Sequence, residues 1–367
     1  MPLYSTETLA VPESYQPLAL ICFSLWSWIT VLSVSHWQRI DVNALLHTTS
    51  PLHKRKPLMI MATALTTLLT FHIILLEHAI FEKHTTSLNQ FGPVILCYTM
   101  TIALVLYFQD GQRFFKCLGR LIRNCPVYFS DVLVADILIS FSGVFTSVCV
   151  QLMRAADVPH AKYAPFITSI PYLIRLKQCL CDYYAQQHPH NSKLINALKY
   201  ASSIPVIFLG HHTKPNSSAQ VFHGITQGDL VWQLWLFSAI FNSAFAFAWD
   251  LIMDWGLVQT DATETTTRMR LRKDLYFSDP LYYIAAVGVN GSLRLLKIGS
   301  HVYHVHPICV DVAEIVRRWI WVVFRFENEW LKRSYTNTDV ELQQRHSAFA
   351  TSSTTTTNNA LYIVPHS

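Results

Sequence analysis

Nine stretches of this chain are apolar over about the length of a membrane-spanning helix. An α-helix needs roughly 20 mostly apolar residues to cross a bilayer. The first three stretches contain almost no charged residues, whereas the other six each contain at least one. In chain order the stretches cover residues 17–37, 57–80, 91–109, 131–152, 164–184, 194–211, 229–257, 280–299 and 306–326. The pattern predicts an all-α, polytopic membrane protein with about nine transmembrane helices.

The last six stretches carry charged side chains at depths where lipid would otherwise surround them. An ionised group at mid-bilayer costs about 2.5–3.5 kcal/mol on insertion scales, so these groups should face a polar interior. They are Asp136, Arg175, Lys177, Lys199, Asp250, Asp254, Arg294, Lys297, Glu314, Arg317 and Arg318. Several recur at spacings of three and four residues, which places them on one helix face. We expect one polar pathway among the last six helices.

The balance of these charges predicts a pathway for a small anion. The cations expected to face it are Arg175, Lys199, Arg294, Lys297, Arg317 and Arg318, and the anions are Asp136, Asp250, Asp254 and Glu314. Arginine offers a planar fork of donors that fits phosphate or carboxylate oxygens. Pro165, Pro171 and Pro205 predict interrupted helices, where transporters place substrate sites. The alternative is that the charges only pair with one another and hold the helices together.

Composition agrees with a membrane protein and narrows the function. Hydrophobic residues make up 51% of the chain and charged residues 14%, whereas soluble domains carry about 25% charged residues. The sequence contains no P-loop, GxSxG or HExxH motif, so we expect no enzyme. An intramembrane hydrolase or transferase using Asp250 and Asp254 as acid and base is the enzymatic alternative. No cofactor is expected.

The cysteine and histidine residues are the candidate metal ligands of this sequence. The eight cysteines form no CxxC pair, so we expect no structural metal site. Metal transport is an alternative, because short histidine clusters can bind metals. The candidate ligands are His301, His304 and His306, and the pair His211 and His212, in or beside predicted luminal loops.

Lysine and arginine placement predicts the orientation in the membrane. Basic loop residues favour the cytosolic side. The loops after odd-numbered spans contain Arg39, Lys54, Arg55, Lys56, Arg113, Lys116, Arg120, Arg123, Lys193, Arg268, Arg270, Arg272, Lys273, Lys332 and Arg333. The other loops contain Lys83, Arg154, Lys162 and Lys214. The N-terminus is therefore expected to be luminal and the C-terminus cytosolic, with the glycosylation sequon at Asn216 on the luminal side.

Four regions follow from the spans and loops. Residues 1–17 are expected to form a short luminal N-terminus, and residues 18–109 three transmembrane helices. Residues 110–330 are expected to form a unit of six transmembrane helices. Residues 331–367 turn polar and rich in serine and threonine, which predicts a disordered cytosolic tail.

An amphipathic segment separates the third and fourth spans. One side carries Arg113, Lys116, Arg120 and Arg123, and the other carries Phe114, Phe115, Leu118, Leu121 and Ile122. This pattern predicts a helix in the cytosolic membrane interface, with lipid headgroups as partners of its basic side. A solvated linker is the alternative.

Five sequence blocks in the second half resemble the signature of the EXS domain. They are 129–136 (FSDVLVAD), 174–180 (IRLKQCL), 196–200 (NALKY), 249–257 (WDLIMDWGL) and 317–329 (RRWIWVVFRFENE). The blocks follow the family's order and the resemblance covers about residues 100–330. The family includes the eukaryotic phosphate exporter first described as a xenotropic retrovirus receptor.

The resemblance implies a set of phosphate-binding residues. Carried over by motif, these are Asp136, Arg175, Lys199, Tyr200, Asp250, Arg294, Arg317 and Arg318, with Asp254, Glu314 and Lys297 in support. One position departs from the family pattern, because the exporter has an aromatic residue where this chain has Lys297. An aromatic side chain there could act as an apolar gate.

Short family members without the SPX sensor domain include a fungal Golgi protein named for an ER-retention defect. What the resemblance implies is transport of inorganic phosphate, released by glycosylation in the Golgi lumen, to the cytosol. It also implies retention of glycosyltransferases and ER-resident proteins. The alternative is a non-transporting sorting receptor whose tail recruits Golgi coat or adaptor proteins. No nucleic-acid partner is expected, and the sequence leaves open whether the chain forms a homodimer.

We predict that protease added to sealed Golgi vesicles removes a tag placed at the C-terminus. The reason is that the basic loops lie on the same side of the membrane as the tail. The measurement is an immunoblot of the tag before and after protease, with detergent-permeabilised vesicles as control. A tag that stays protected in sealed vesicles would contradict this orientation.

Overall fold

The fold is taken from a computed structural model of the chain. The backbone is described for residues 11–12, 15–46, 55–81, 98–99, 102, 109–123, 128–159, 161–185, 191–213, 229–263, 266–272, 275–277, 279–301, 303 and 305–359. Most of the predicted third span at 91–109 and the sequon at Asn216 lie outside these residues.

The described residues form α-helices and one short β-hairpin. The helices are α1 Gln16–Trp37, α2 Val42–Leu46, α3 Arg55–Phe81, α4 Gln109–Ile122, α5 Phe129–Ser140, α6 Ser142–Ala155, α7 Ala164–Tyr184, α8 Asn191–Ala201, α9 Ser203–His212, α10 Leu230–Trp249, α11 Leu281–Gly299 and α12 Pro307–Asn359. A 3₁₀ turn covers Ala161–Tyr163, a π-type turn Asp250–Asp254, and the hairpin strands are β1 Val258–Thr263 and β2 Thr266–Leu271.

Within the described ranges, three helical segments are long and apolar enough to cross a membrane. They are α1, Lys56–Leu75 within α3, and Leu230–Asp254, which combines α10 with the π-type turn. The bent pair α5 and α6 is a fourth candidate. The four remaining predicted spans that fall on described residues are also helical, in α7, α8–α9, α11 and α12. Apart from the hairpin, the all-α prediction is confirmed, while the total of nine spans stays a prediction.

Helix interruptions occur close to the predicted charged residues. The axes of α5 and α6 differ by 61° across Phe141, five residues after Asp136. The chain also breaks at Ser202, between α8 and α9, three residues after Lys199. Asp250 begins the π-type turn, a feature often found at functional sites. Three predicted site residues, Asp136, Lys199 and Asp250, therefore lie at or near an interruption of the helical backbone.

The three prolines affect the helices in different ways. Pro205 accounts for the break at Ser202, because its ring clashes with the carbonyl group four residues earlier and it donates no hydrogen bond to that group. Pro165 lies in the first turn of α7, where it starts the helix instead of interrupting it. Helix α7 continues through Pro171. The predicted interruption of this span is therefore wrong, because the helix absorbs one missing hydrogen bond.

The hairpin is the departure from the all-α prediction. β1 and β2 pair antiparallel, with Val258 opposite Leu271 and Thr263 opposite Thr266. Both strands are rich in threonine, whose β-branched side chain favours strands. The backbone N–H of Arg272 closes the base of the hairpin by donating to the carbonyl oxygen of residue 257 at 2.8 Å.

A buried carboxylate fixes the chain after the hairpin to α12. Glu327 is fully buried and pairs with Arg272. It also accepts hydrogen bonds from the Tyr283 hydroxyl group at 2.6 Å and from the Tyr276 backbone N–H at 3.3 Å. Since Tyr283 belongs to α11, this carboxylate joins α11 and the hairpin to α12.

Helix α12 continues far beyond the last predicted span. Arg333 pairs with Glu329 at 3.2 Å, one turn earlier, and donates to the carbonyl oxygens of Ala44 and Leu45 at the end of α2. The backbone stays helical to Asn359, so the structure differs from the predicted disorder at 331–359. The i,i+4 pair and the contact with α2 explain why the helix continues past residue 331.

Aromatic packing fixes the rotation of α12. Trp28 of α1 packs against Trp319 and Phe326 of α12, with ring centroids 5.4 and 6.1 Å apart. Phe324 packs on Trp255 at 5.0 Å. Because Trp319 and Phe326 are seven residues apart, they lie on one side of α12, and the charged side of the same helix faces the other helices of the bundle.

The amphipathic segment forms α4 as predicted, and its C-terminal half packs on α5. The Cys117 thiol donates to Asp131 at 2.9 Å, and Arg120 pairs with the same carboxylate at 2.6 Å. Burial and the hydrogen bond to Asp131 raise the pKa of the Cys117 thiol to about 12, so the thiol stays protonated. Leu121 is buried within the protein, whereas Ile122 is exposed, and the position of α4 in the membrane interface stays a prediction.

We predict that Gly256→Ala destabilises the protein by about 1–3 kcal/mol through backbone strain alone. Gly256 has a φ of 59°, and a Cβ atom there would lie 2.5 Å from the Asn328 side-chain oxygen. Asn328 caps the end of the π-type turn by donating to the Asp254 carbonyl oxygen at 2.8 Å. Thermal unfolding in detergent measures the effect.

The matched control for this substitution is Gly288→Ala. No atom lies within 4 Å of a Cβ at that position in α11, so alanine should leave stability unchanged or raise it by about 0.5–1 kcal/mol. If Gly256→Ala unfolded at the same temperature as Gly288→Ala, the strain argument would be wrong.

Candidate anion site

A polar cavity of about 400 Å³ lies among the helices α5 to α12. It is lined by ten of the eleven residues predicted from the sequence: Asp136, Lys199, Tyr200, Asp250, Asp254, Arg294, Lys297, Glu314, Arg317 and Arg318. These residues come from four helices and the π-type turn, and they are separated by up to 182 positions in the chain. Helix packing brings them to one place.

The side-chain amide of Asn242, on α10, forms hydrogen bonds at the break between α8 and α9. Asn242 donates to the hydroxyl groups of Ser202 and Ser203 at 2.8 and 2.9 Å and lies 3.4 Å from the Lys199 carbonyl oxygen. A break in a buried helix leaves backbone groups that need partners. Asn242 supplies one, and it thereby positions the turn that carries Lys199 and Tyr200.

Arg175 is the predicted site residue that does not line the cavity. Its Nε donates to Asp136 at 2.9 Å, and Nε and Nη2 both lie within 3.2 Å of the Tyr200 hydroxyl oxygen. Its Nη1 donates to Gln178 at 2.7 Å. All three nitrogens therefore have protein partners. Arg175 lies behind the cavity and positions Asp136 and Tyr200, which are also bonded to each other at 2.7 Å.

Arg294 is engaged by a second carboxylate. Its Nη2 donates to Asp250 at 2.6 Å and its Nε to the Asn290 amide oxygen at 3.2 Å. Asn290 also donates to Asp250 at 3.1 Å. Asp250 and Asn290 thus fix one nitrogen each of Arg294, which leaves Nη1 of this arginine for other partners.

A third set of hydrogen bonds connects charged residues of α12 to α5. Arg317 donates to Glu314 at 2.5 and 3.1 Å. Ser140 of α5 donates to the same carboxylate at 3.0 Å and accepts from the Arg318 Nε at 2.9 Å. The Arg318 guanidinium also lies 4.7 Å from the centre of the Trp321 ring, a cation–π contact. Ser140 was not among the residues predicted from the sequence, because an uncharged serine in an apolar span gives no signal of its own.

Asp254, at the end of the π-type turn, faces the C-terminal part of α12. It accepts a hydrogen bond from the Trp321 indole nitrogen at 3.2 Å and lies 3.6 Å from an Arg325 nitrogen. Arg325 also donates to the Asp254 carbonyl oxygen at 3.3 Å. This carboxylate is therefore partly structural.

Two lysines complete the lining. The Lys199 ammonium lies 4.5 Å from the Tyr200 ring centre and 5.2 Å from that of Trp249. In the described part of the chain it makes no hydrogen bond and no ion pair. Lys297 is 3.9 Å from Glu314, and its side chain is 51% exposed. Both ammonium groups are available to a ligand in the cavity.

The charge balance of the lining differs from the prediction. Among the described residues the lining has five cations, Lys199, Arg294, Lys297, Arg317 and Arg318, and five carboxylates, Asp136, Asp250, Asp254, Asp311 and Glu314. The predicted surplus of two cations is absent, because Arg175 lies behind the cavity and Asp311 was not counted. Asp311 sits three residues before Glu314 on the same helix face, so helical spacing could have identified it.

Pairing nevertheless leaves unused donors on the cationic side. Arg175, Arg294 and Arg317 are bound to carboxylates. In the described residues the two terminal nitrogens of Arg318 have no hydrogen-bond partner. Arg317 Nη1 is buried without one, 3.6 Å from Asp250. A buried unpaired guanidinium N–H is costly, so these donors point to an anionic ligand.

The metal alternative receives no geometric support from the described residues. Among them, no group of three or more histidine, cysteine, aspartate or glutamate residues is placed to hold a metal ion. His304 lies outside the described residues. His211 and His301 line the cavity instead, and His301 stacks on Trp235 with a centroid distance of 4.1 Å.

Comparison with known proteins gives a family match over most of the chain. The EXS family matches residues 11–331, so the match begins before α1, whereas the sequence analysis started this unit at residue 110. The chain is 24% identical to Protein ERD1 of Saccharomyces cerevisiae over 355 residues, which cover 89% of this chain and 95% of that protein. It is 26% identical to Protein ERD1 homolog 1 of Schizosaccharomyces pombe, over 86% and 91% of the two chains.

A further relative is similar over a shorter region. The chain is 30% identical to Solute carrier family 53 member 1 of Mus musculus over 181 residues, which cover 45% of this chain and 24% of that protein.

We predict that Arg175→Ala and Arg318→Ala affect stability differently. Removing Arg175 leaves Asp136 buried and without its ion-pair partner, which should cost about 3–5 kcal/mol. Removing Arg318 breaks one hydrogen bond to a neutral serine and the cation–π contact with Trp321, which together should cost about 1–2.5 kcal/mol. Thermal unfolding of the purified variants in detergent measures both.

The double variant Asp136→Asn with Arg175→Gln is the control for this comparison. It removes both charges together, so it should be more stable than Arg175→Ala alone. Equal destabilisation by Arg175→Ala and Arg318→Ala would contradict the positioning role of Arg175.

Proposed function

The chain belongs to the EXS family, and on this premise we propose that it transports inorganic phosphate across the Golgi membrane. It moves phosphate released by glycosylation from the lumen to the cytosol. The observation that carries the proposal is a cavity in which, among the described residues, the terminal nitrogens of Arg318 and the Lys199 ammonium remain without hydrogen-bond partners, although four of the five lining carboxylates are paired.

Phosphate fits the donor set of this cavity. Arg318 can offer its two terminal nitrogens as a fork to two oxygens of one tetrahedral anion. Lys199 supplies a point charge. A volume of about 400 Å³ leaves ample room for a tetrahedral oxyanion. The unused cationic donors are the feature that favours an oxyanion as the ligand.

The helix interruptions favour a site that transports the anion over a site that only binds it. Lining residues lie on both sides of the α5–α6 bend, beside the α8–α9 break and in the π-type turn. Transporters build their substrate sites from such discontinuous helices, because half-helices can shift against each other around the site. A cavity that served only structure would need none of these interruptions.

Location and physiological role are proposed from the relatives. Two relatives that match nearly the whole chain are named ERD1, and a third is named as a solute carrier. A solute carrier is a membrane transport protein, which agrees with the cavity. Phosphate recovery in the Golgi would sustain glycosylation, and we propose that retention of glycosyltransferases and ER-resident proteins depends on it.

Uptake of labelled phosphate into liposomes containing the purified protein tests the function. Phosphate should enter these liposomes faster than protein-free liposomes, and unlabelled phosphate should compete. A sorting receptor that does not transport would give the same uptake as empty liposomes. That result would overturn the proposal and leave the receptor alternative standing.

We predict that Arg318→Lys raises the half-saturating phosphate concentration at least about tenfold. Lysine keeps the charge but loses the two parallel donors, and a charge-assisted hydrogen bond contributes about 1.5–3 kcal/mol. Each 1.4 kcal/mol corresponds to one decade. The measurement is uptake as a function of phosphate concentration.

Arg294→Lys is the matched comparison for this prediction. Two nitrogens of Arg294 are held by Asp250 and Asn290, so the same substitution there should have a smaller effect on half-saturation. A larger effect at Arg294 than at Arg318 would show that the anion-binding fork has been assigned to the wrong arginine.

A further inference from the structure

Among the described residues, one carboxylate of the cavity lining, that of Asp311, has no hydrogen-bond partner. Asp311 lies in the first turns of α12 and lines the cavity beside Lys297 and Glu314. Its Oδ1 would lie 2.7 Å from a Cβ placed on Gly143 of α6. The carboxylate therefore occupies the space left by a missing side chain. Glycine at position 143 is required to hold Asp311 where it is.

The other four lining carboxylates are already occupied. Asp136 accepts from Arg175 and Tyr200, and Asp250 accepts from Arg294 and Asn290. Glu314 and Asp254 have donors of their own, as described above. Among the described residues, no hydrogen bond or ion pair is formed by Asp311, although the charge of Lys297 acts on it. Its acceptor atoms are open to the cavity.

An open carboxylate can distinguish between oxyanions of the same size. An ionised carboxylate only accepts hydrogen bonds. Phosphate at neutral pH retains at least one proton and can donate it, whereas sulfate is fully ionised and can only accept. If sulfate bound beside Asp311, its oxygens and the carboxylate oxygens would both be hydrogen-bond acceptors, and both groups would be negatively charged. The cationic donors Lys199 and Arg318 hold either anion, so they cannot make this distinction.

We propose that Asp311 is a specificity-determining residue that accepts a hydrogen bond from a protonated oxyanion and excludes sulfate. The inference rests on the proposed function, because it takes phosphate as the transported ion. Sites built around a hydrogen bond to a substrate hydroxyl reject analogues that lack it by about 10⁴–10⁵, so the open carboxylate repels the wrong ligand as well as binding the right one.

Competition in the liposome assay tests the selectivity. In the wild-type protein, arsenate, which is also protonated, should compete with labelled phosphate, and sulfate should require at least about 100-fold higher concentration. Asp311→Asn keeps the shape but offers an amide donor, so sulfate should compete at least about tenfold better. Thermal stabilisation of the detergent-solubilised protein by phosphate or sulfate provides a readout that needs no transport.

Two further variants distinguish the effect of the position of the Asp311 carboxylate from the effect of its charge. Gly143→Ala keeps every charge but forces the Asp311 carboxylate to move, so it should also weaken discrimination against sulfate. Asp157→Asn is the control, because Asp157 is exposed, outside the cavity, and has a φ of 55° that asparagine tolerates. It should retain the wild-type selectivity.

The results separate this inference from the proposed function. Phosphate uptake with equal competition by sulfate in the wild-type protein would overturn the role of Asp311 and leave transport standing. Unchanged exclusion of sulfate in Asp311→Asn would do the same. If Asp311→Asn did not fold, wild-type competition and Gly143→Ala would decide. Absence of phosphate uptake and of stabilisation by phosphate in the wild-type protein would overturn both proposals.

Discussion

Pairing of buried charges inside the helix bundle is the constraint on which the rest of this structure depends. An isolated ion buried away from water costs several kcal/mol, so a carboxylate in such a place needs a cation or several donors beside it. Asp136 meets this requirement with Arg175, and Glu314 meets it with Arg317. Pairs between helices hold the bundle together, and the donors that remain unpaired determine what the cavity can bind.

Helix interruptions and aromatic packing give these pairs their geometry. The π-type turn places Asp250 towards α11 and α12, and Gly256 lets the chain leave that turn close to Asn328. On the opposite side of α12, Trp28 packs against Trp319 and prevents rotation of the helix. The polar cavity is therefore formed by the same contacts that make the apolar core.

The arginines of the site have two different roles, positioning of other residues and ligand binding. Their sequence context does not distinguish these roles. Arg175 has protein partners on all three side-chain nitrogens, and Arg294 has them on two. Within the part of the chain that the structure describes, Arg318 forms a hydrogen bond only through Nε, to a serine, so its terminal nitrogens are left for a ligand. Positioning and binding are thus divided among residues of one type, and the division depends on which helix supplies a carboxylate at the right distance.

The sequence by itself determined the membrane class, the position of the charged helices and ten of the residues that line the cavity, because hydropathy and helical spacing are local properties. Only the tertiary structure decided that Arg175 lies behind the cavity and that Asp311 lies within it. Likewise, the interhelical partner of each charge and the continuation of α12 past residue 331 could not be predicted. The reason is physical: these features depend on contacts between helices far apart in the chain, and a residue's own neighbours in the sequence carry no information about which distant group will meet it.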